Sequence, residues 1–220
     1  MSIKKTVKKS LIAQPILPAL RSDGVIQLKA ESMTRDTNLS RRSREYLTGQ
    51  EIEALLLVSK ANKDQFFAQR DFLAVLLSYR HGLRVSELVR LRWQAIDFDA
   101  ARIHIHRLKN GNPGTHPLQA DELRGLKSLR KFQSSPWVFT GKSGIPLTRD
   151  GIAKLLRRLS KIAKLEISTH WHMFRHSCGF YLASKGYDTR LIQEYLGHKS
   201  IQHTVVYTAL SPNRFEGLWG

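Results

Sequence analysis

The stretch from residue 64 to residue 82, DQFFAQRDFLAVLLSYRHG, constrains the fold of this chain most strongly. Its apolar residues recur at helical spacing, and Gly82 is a typical helix stop. The apolar surface is broad, so we expect such a helix to be buried on most sides. The sequence therefore predicts a central helix that is surrounded by other elements of the same domain.

Further helix signals flank this segment. Order is expected to begin near Tyr46, because Thr48 and Glu51 have the spacing of a capping box ahead of an apolar stripe. A short amphipathic element, VSELVRLRW, follows the central helix at residues 85–93. These boundaries predict one folded domain over residues 45–220.

A small sheet is predicted beyond these helices. Residues 101–109 alternate with a period of two, and NGNPG at residues 110–114 supplies a turn, which together indicate an antiparallel hairpin. Residues 120–132 have a helical pattern, and PWVFT at residues 136–140 is typical of a short strand. The predicted fold class is α+β, mainly α, with a small antiparallel β-sheet.

The chain is strongly basic, with 36 Lys and Arg against 18 Asp and Glu and a formal net charge of +18. This excess favours a polyanionic partner over an unspecialised basic surface, with DNA or RNA first and an acidic membrane second. Thr148 is expected to cap a helix over residues 149–165 with one apolar and one basic face. Its basic face, the candidate DNA-binding surface, consists of Lys154, Arg157, Arg158 and Lys161.

Residues 1–44 differ from the rest of the chain in pattern. They lack periodicity and contain several lysines and prolines, which predicts a basic, largely flexible arm that contacts the DNA backbone. No apolar run approaches the roughly 18 residues of a membrane span, so we expect a cytoplasmic protein. Cys178 is the single cysteine and is predicted to be a packing residue.

Two short motifs place cations where a phosphate could bind. His172 and Arg175 are three residues apart, so a helix would present both to one anion. Arg84 directly follows the Gly82 break, and Glu87 shares its face if the next turn is helical. From spacing alone, Arg84 and Glu87 are equally well explained as a surface ion pair.

The last part of the chain predicts a loop and a nucleophile beside these cations. Gly186 and Gly197 are expected to end two successive helices, which leaves His198 in the loop that follows. Ser200 can cap a final helix that carries Tyr207. DNA strand transfer by a protein hydroxyl requires a nucleophile, cations on the phosphate oxygens and proton carriers, and Tyr, Arg, His and Lys supply them.

Four motifs thus follow one another along the chain. They are GLRVSEL with Arg84, His172-x-x-Arg175, Leu196-Gly197-His198, and Tyr207 nine residues later. This series resembles that of the tyrosine recombinases, the phage-integrase family, and the resemblance covers residues 46–220. A further similarity, to the small recombinases that invert the fimbrial phase-variation switch, rests on IHRLKNGNPGTHPL, HMFRHSCGF, DTRLIQEYLGH and HTVVYTA.

The resemblance implies a role for each matching residue. Arg84 and Arg175 would hold the scissile phosphate, and His172 and His198 would donate hydrogen bonds to it and help to move protons. Tyr207 would attack phosphorus, which forms a 3′-phosphotyrosyl link and releases a 5′-hydroxyl.

Two further residues and the reaction conditions also follow from the resemblance. Lys109, eight residues before Pro117, would be the general acid for the leaving 5′-oxygen, and Glu87 would support the pocket. The reaction would need no metal, no ATP and no other cofactor. The arm is too short to be the separate helical core-binding domain that most family members carry, and the fimbrial-switch recombinases also lack that domain.

The implied function is inversion of a DNA segment, with integration or excision as alternatives. Duplex DNA with inverted-repeat sites would be the substrate, in the nucleoid, with DNA-bending proteins as accessory partners. We expect a homotetramer on DNA and a monomer when free. The tail, with Phe215, Leu218 and Trp219, would dock either on its own protomer or on a neighbour.

Two competing interpretations remain from the sequence. His170, His172 and His176, with His104 and His106 as a second pair, could belong to a metal-dependent hydrolase, although no carboxylate or thiolate partner is evident. The chain could also be a non-catalytic DNA-binding regulator, because short helices beside a basic surface resemble a helix-turn-helix.

Overall fold

The structure, a computed structural model, describes residues 44–107 and 111–209. The predicted arm before residue 44, the predicted general acid Lys109 and the C-terminal tail lie outside these residues.

The helices are α1 (Gly49–Lys60), α2 (Gln65–Arg80), α3 (Val85–Leu88), α4 (Ala120–Arg130), α5 (Arg149–Ile162), α6 (His172–Ser184), α7 (Thr189–Leu196) and α8 (Gln202–Ala209). The strands are β1 (Ile96–Asp97), β2 (Arg102–Ile105) and β3 (Gly114–Pro117). The predicted fold class is confirmed.

Helix α2 is the centre of the core, as its broad apolar surface predicts. Residues 73–77 are buried without interruption, which places protein on all sides of the helix. It packs against α1, α4 and α6. Asp64 caps its start by accepting a hydrogen bond from the Phe66 amide at 3.0 Å, and Gly82 follows its end with a φ of +57°.

The sheet is antiparallel in the order β1-β2-β3. Strands β2 and β3 form the predicted hairpin, in which Ile103 pairs with His116. Ile103 also pairs with Ile96 of β1, a strand that the sequence did not predict because two residues are too few to show a period. Ile103 and Ile105 are buried whereas their neighbours in β2 are exposed, as the alternation predicts.

The amphipathic element predicted at residues 85–93 is helical only in its first part, because α3 ends at Leu88. The backbone beyond it pairs with a distant part of the chain. The amide of Trp93 donates to the carbonyl of Pro136 at 3.1 Å, and the amide of Val138 donates to the carbonyl of Leu91 at 2.9 Å. These long-range hydrogen bonds replace those of a continued helix.

The strand predicted at residues 136–140 is wrong. This segment forms only isolated bridges, in which Trp137 pairs with Arg92 and Thr140 pairs with Pro146. Its two ends pair with different parts of the chain, so no ladder of consecutive pairs develops.

Helix α5 has the predicted division into two faces. Its N-cap is Thr148, whose Oγ1 accepts a hydrogen bond from the amide of Gly151 at 3.0 Å. Ile162 was expected on the apolar face but is 55% exposed, because it is the last residue of the helix. The buried face consists of Ile152, Leu155, Leu156 and Leu159.

The last three helices pack on one another and build a second core. Gly186 and Gly197 follow α6 and α7 with φ angles of +81° and +65°, as predicted for helix stops. The second core consists of Cys178, Ala183, Ile192, Leu196 and Tyr207. Cys178 is buried, which confirms its packing role. None of the helices in the described parts of the chain has the length and apolar character needed to cross a membrane.

Candidate active site

Arg84 begins α3 and is held by Glu87 one turn later. One carboxylate oxygen of Glu87 accepts from the Arg84 backbone amide at 2.9 Å, and the other accepts from Nη1 of its guanidinium at 2.8 Å. The Arg84 side chain remains 23% exposed, whereas the Glu87 side chain is buried. The arginine is therefore fixed at its base and open to solvent at part of its surface.

Arg107 is a second partner of the same carboxylate, and the sequence analysis did not single it out. Its fully buried side chain directs Nη1 to Glu87 at 2.9 Å and Nη2 to the carbonyls of His81 and Tyr195 at 3.1 and 2.9 Å. Burial raises the pKa of Glu87, but the charge of Arg107 and the hydrogen bonds from Arg84 outweigh burial and hold that pKa below its usual value.

Arg175 of α6 is buried and lies between two backbone carbonyls. Nη1 donates to Gly82 at 2.7 Å and Nη2 donates to Leu196 at 2.6 Å, so this side chain ties α6 to the turn before α3 and to the end of α7. Burial, followed by the charges of Arg107 and Arg84, lowers the pKa of Arg175 to about 9.

These three arginines form a cluster with very little compensating negative charge. Among the described residues, Glu87 is the one carboxylate that forms an ion pair with any of Arg84, Arg107 and Arg175. A buried cluster with this excess of positive charge is suited to an anionic ligand.

Two histidines lie within the field of this cluster. Burial lowers the pKa of His198 to about 3, with further contributions from Arg175 and Arg84, and its Nδ1 lies 2.8 Å from Oγ1 of Thr204. Loss of hydration is the largest cause that lowers the pKa of His172 to about 4. The charges of its neighbours, which include Arg175 and Arg84, lower this pKa further. Both imidazoles are therefore neutral near pH 7 without an anion present.

Tyr207 is buried where α8 packs on α6. Its ring is parallel to that of His198 within 22°, with centroids 6.4 Å apart, and its hydroxyl lies 3.0 Å from Nδ1 of His176. A Cβ at Gly179 would come within 2.5 Å of the Tyr207 ring, so only glycine permits this approach. Burial raises the pKa of Tyr207 to about 12, although Arg175 and Arg84 act in the opposite direction.

The structure thus brings most of the predicted site residues together. The charges of Arg84 and Arg175 act on His172, His198 and Tyr207 alike. Glu87 lies beneath Arg84, and Lys109 is outside the described residues. The arrangement combines a tyrosine hydroxyl, guanidinium cations and neutral imidazoles in one place.

The histidines of the competing metal site have other partners. Nε2 of His170 lies 2.9 Å from a carboxylate oxygen of Glu45, and His176 contacts Tyr207. In residues 44–107 and 111–209, no group of three His, Cys, Asp or Glu side chains is placed to hold a metal ion.

The predicted basic face of α5 is exposed on a helix that packs against α3. Lys154 forms an ion pair with Asp150 at 2.9 Å, and Arg158 donates to the buried carboxylate of Asp71 at 2.6 Å. Arg157, Arg158 and Lys161 are all exposed. Arg158 differs from the other two in its ion pair with the buried carboxylate of Asp71.

Comparison with known proteins agrees with this geometry. Residues 45–214 match the phage integrase family. The chain belongs to that family. The type 1 fimbriae regulatory protein FimB of Escherichia coli K12 is 45% identical over 81% of this chain and 90% of its own length. The corresponding protein FimE of the same strain is 41% identical over 80% and 91%.

Solved structures of two recombinases share the fold. The XerA recombinase structure has a TM-score of 0.67 at 23% identity, and XerH bound to its difH substrate has a TM-score of 0.69 at 23% identity. This chain covers 63% of the XerA chain and 52% of the XerH chain.

Two site residues of this family member were not predicted in their observed roles. Arg107 lies in the alternating segment of the predicted hairpin, where its spacing gives no sign of a contact with Glu87. His176 was considered only as a metal ligand, although its position four residues after His172 places both on one side of α6. That spacing is the signal that could have identified it.

Proposed function

We propose that this protein is a site-specific DNA recombinase that cleaves and rejoins duplex DNA through a 3′-phosphotyrosyl intermediate. The observation that carries the proposal is the convergence of two arginines and two histidines around buried Tyr207, in a cluster whose positive charge exceeds that of its one paired carboxylate among the described residues, Glu87. Membership of the phage integrase family supports the same reaction.

In the proposed reaction, Arg84 and Arg175 bind the non-bridging oxygens of the scissile phosphate. The negative charge that grows on these oxygens during attack is stabilised by groups already in place. The phosphate also raises the pKa values of His172 and His198, because an anion favours the protonated imidazole. These cations stabilise the negative charge on the phosphate, which is the role of the metal ion in metal-dependent phosphoryl transfer. We therefore propose a reaction without metal or ATP.

Two further residues have supporting roles in the proposed reaction. Lys109 is proposed as the general acid that protonates the leaving 5′-oxygen. Glu87 is proposed as the support of the pocket, because its carboxylate holds Arg84 at two points.

Duplex DNA is the proposed substrate, and contacts from α5 are proposed to position it. The structures of XerH with difH and of the Tn1549 transposon integrase with transposon end DNA are complexes with DNA, which supports this partner. Arg157 and Lys161 are the exposed members of the α5 face that would contact phosphates. Assembly as a homotetramer on two sites, with DNA-bending partners, belongs to the same proposal.

We further propose that the reaction inverts a DNA segment between inverted repeats, as a phase-variation switch. The similarity to FimB and FimE, whose names describe them as regulatory proteins of type 1 fimbriae and of whose lengths this chain covers 90% and 91%, supports this choice over integration or excision. Inverted repeats beside the encoding gene, with the intervening segment present in both orientations, are the expected genomic observation.

The decisive experiment traps the covalent intermediate. A duplex that contains one such repeat and a nick next to the cleavage position releases a short fragment after attack, which prevents rejoining. We expect wild-type protein to form a covalent adduct in EDTA, and Tyr207→Phe to bind the duplex but form none. A wild-type protein that binds without forming an adduct would instead indicate a non-catalytic regulator.

A further inference from the structure

The hydroxyl of Tyr207 has a direct partner to which the resemblance gives no role. Oη of Tyr207 lies 3.0 Å from Nδ1 of His176, and the two rings meet edge to face. His176 is one turn after His172 on α6, with the two imidazole centroids 4.8 Å apart. A neutral imidazole has one unprotonated nitrogen, which can accept the phenolic proton if the other nitrogen carries the ring hydrogen.

We propose that His176 is a catalytic residue that takes the proton of Tyr207 during cleavage and returns it during rejoining. This inference rests on the function proposed above. It assigns proton transfer at the nucleophile to His176, and it leaves His172 and His198 as donors to the phosphate.

The proposed step moves one proton away from Tyr207 and one proton to the leaving oxygen. A bond forms between Oη of Tyr207 and phosphorus while the bond between phosphorus and the 5′-oxygen breaks. The phenolic proton moves to Nδ1 of His176, which becomes an imidazolium, and the 5′-oxygen takes its proton from the general acid proposed at Lys109. In rejoining, the 5′-hydroxyl returns its proton to the deprotonated general acid and its oxygen attacks phosphorus. The bond between phosphorus and Oη of Tyr207 breaks, and His176 returns its proton to the departing phenolate.

The groups around His176 are suited to this change of charge. Burial lowers the pKa of His176, as do the charges of His170 and Arg175, whereas the carboxylate of Glu45 raises it. His176 is therefore neutral before attack, as a base must be, and Glu45 partly stabilises the imidazolium that follows. Because Tyr207 is buried and its pKa is raised, hydroxide alone is a poor substitute at neutral pH.

A buried tyrosine hydroxyl also requires a hydrogen-bond partner for stability alone, so the test must separate the two roles. His176→Asn places an amide oxygen near the position of Nδ1, where it accepts a hydrogen bond but takes no proton. His176→Phe keeps a ring of similar volume without an acceptor. The assay is the rate of adduct formation on the nicked duplex, measured from pH 6 to pH 9 with DNA binding in parallel.

We expect both variants to bind DNA as the wild type does and to cleave about 10²-fold more slowly near pH 7, which is the usual loss for a general base. Their rates should rise about tenfold per pH unit, because hydroxide replaces the missing base. The wild-type rate should level off once His176 is neutral.

Phe180→Leu is the matched control, because Phe180 lies on the same helix with its ring 5.1 Å from that of Tyr207. It should reduce stability and keep the wild-type pH profile. A folded His176 variant that cleaves within about threefold of wild type, or whose loss is equal at every pH, would overturn the proposal. A wild-type protein that forms no adduct would refute the proposed function itself.

Discussion

At the scale of single residues, the site depends on one carboxylate that serves two arginines. Glu87 is buried between Arg84 and Arg107, and its pKa is lowered in the folded chain. Removing one partner of a buried ion pair is costly because the remaining charge loses its compensation. The position of Arg84 is therefore maintained by a carboxylate that is remote from solvent.

Arg107→Met should lower the free energy of unfolding by about 3 kcal/mol, because Glu87 keeps only Arg84, which is partly exposed, as a partner. Adduct formation should fall as well, since Arg84 is then less firmly held. Urea denaturation and the nicked-duplex assay measure the two effects. The double variant Arg107→Met with Glu87→Gln should recover part of the stability, because no buried carboxylate then lacks a partner and the unpaired Arg84 is partly exposed to solvent. If the double variant were as unstable as Arg107→Met alone, this account would be contradicted.

At the scale of elements, local signals predicted helix ends well. Thr48 and Thr148 begin helices because each side chain accepts a hydrogen bond from the first turn, and this contact depends on neighbours in sequence. The two predictions that the structure corrects, at residues 85–93 and 136–140, concern segments that pair with each other through long-range hydrogen bonds. The residue pattern within each segment contains no information about a hydrogen-bonding partner so far away in the sequence.

The difference between contacts of sequence neighbours and long-range contacts also applies to the candidate active site. Arg84, His172, Arg175, His198 and Tyr207 lie in motifs whose order along the chain is readable, so their convergence could be expected. The contacts of Arg107 with Glu87 and of His176 with Tyr207 join separate elements through side-chain packing. They could be found only once the hairpin, α3, α6 and α8 were placed in space.

The packing of α8 on α6 gives a test at this scale. Gly179→Ala should displace Tyr207, because the added Cβ would lie within 2.5 Å of its ring. We expect adduct formation to fall at least tenfold although alanine is the better helix former. Amide hydrogen exchange should show faster exchange in α8. Gly49→Ala, at a glycine with no atom within 4 Å of the added Cβ, should leave both measurements unchanged.

At the scale of the whole molecule, the fold keeps several histidines neutral. Burial lowers the pKa of His116 to about 3, and the charges of His81 and Arg107 act in the same direction. The pKa of His198 is also lowered to about 3. In the unfolded chain these groups titrate near 6.5. The unfolded state therefore binds more protons than the folded state wherever the pH falls below that value.

This difference predicts loss of stability in mild acid. The contribution of His116 and His198 is present above pH 6.5 and is lost as the pH falls toward 3, with a slope of up to about 1.4 kcal/mol per pH unit for each histidine. The lowered pKa of Glu87 adds a loss only below its unfolded value near 4.5, so the interval from pH 6 to pH 5 reports on the histidines. Urea denaturation at pH 7.5, 6.0 and 5.0 measures the slope.

His116→Gln separates this mechanism from general acid sensitivity. The variant removes one titrating group from a site between β3 and α7, where the His116 ring stacks on Tyr195 with centroids 3.9 Å apart. Its stability at pH 7.5 should fall, because a stacked aromatic contact is lost, but the slope between pH 6.0 and 5.0 should decrease by about 1.4 kcal/mol per pH unit. If the slope remained as steep as in wild type, the histidines would not be the groups that link protonation to unfolding.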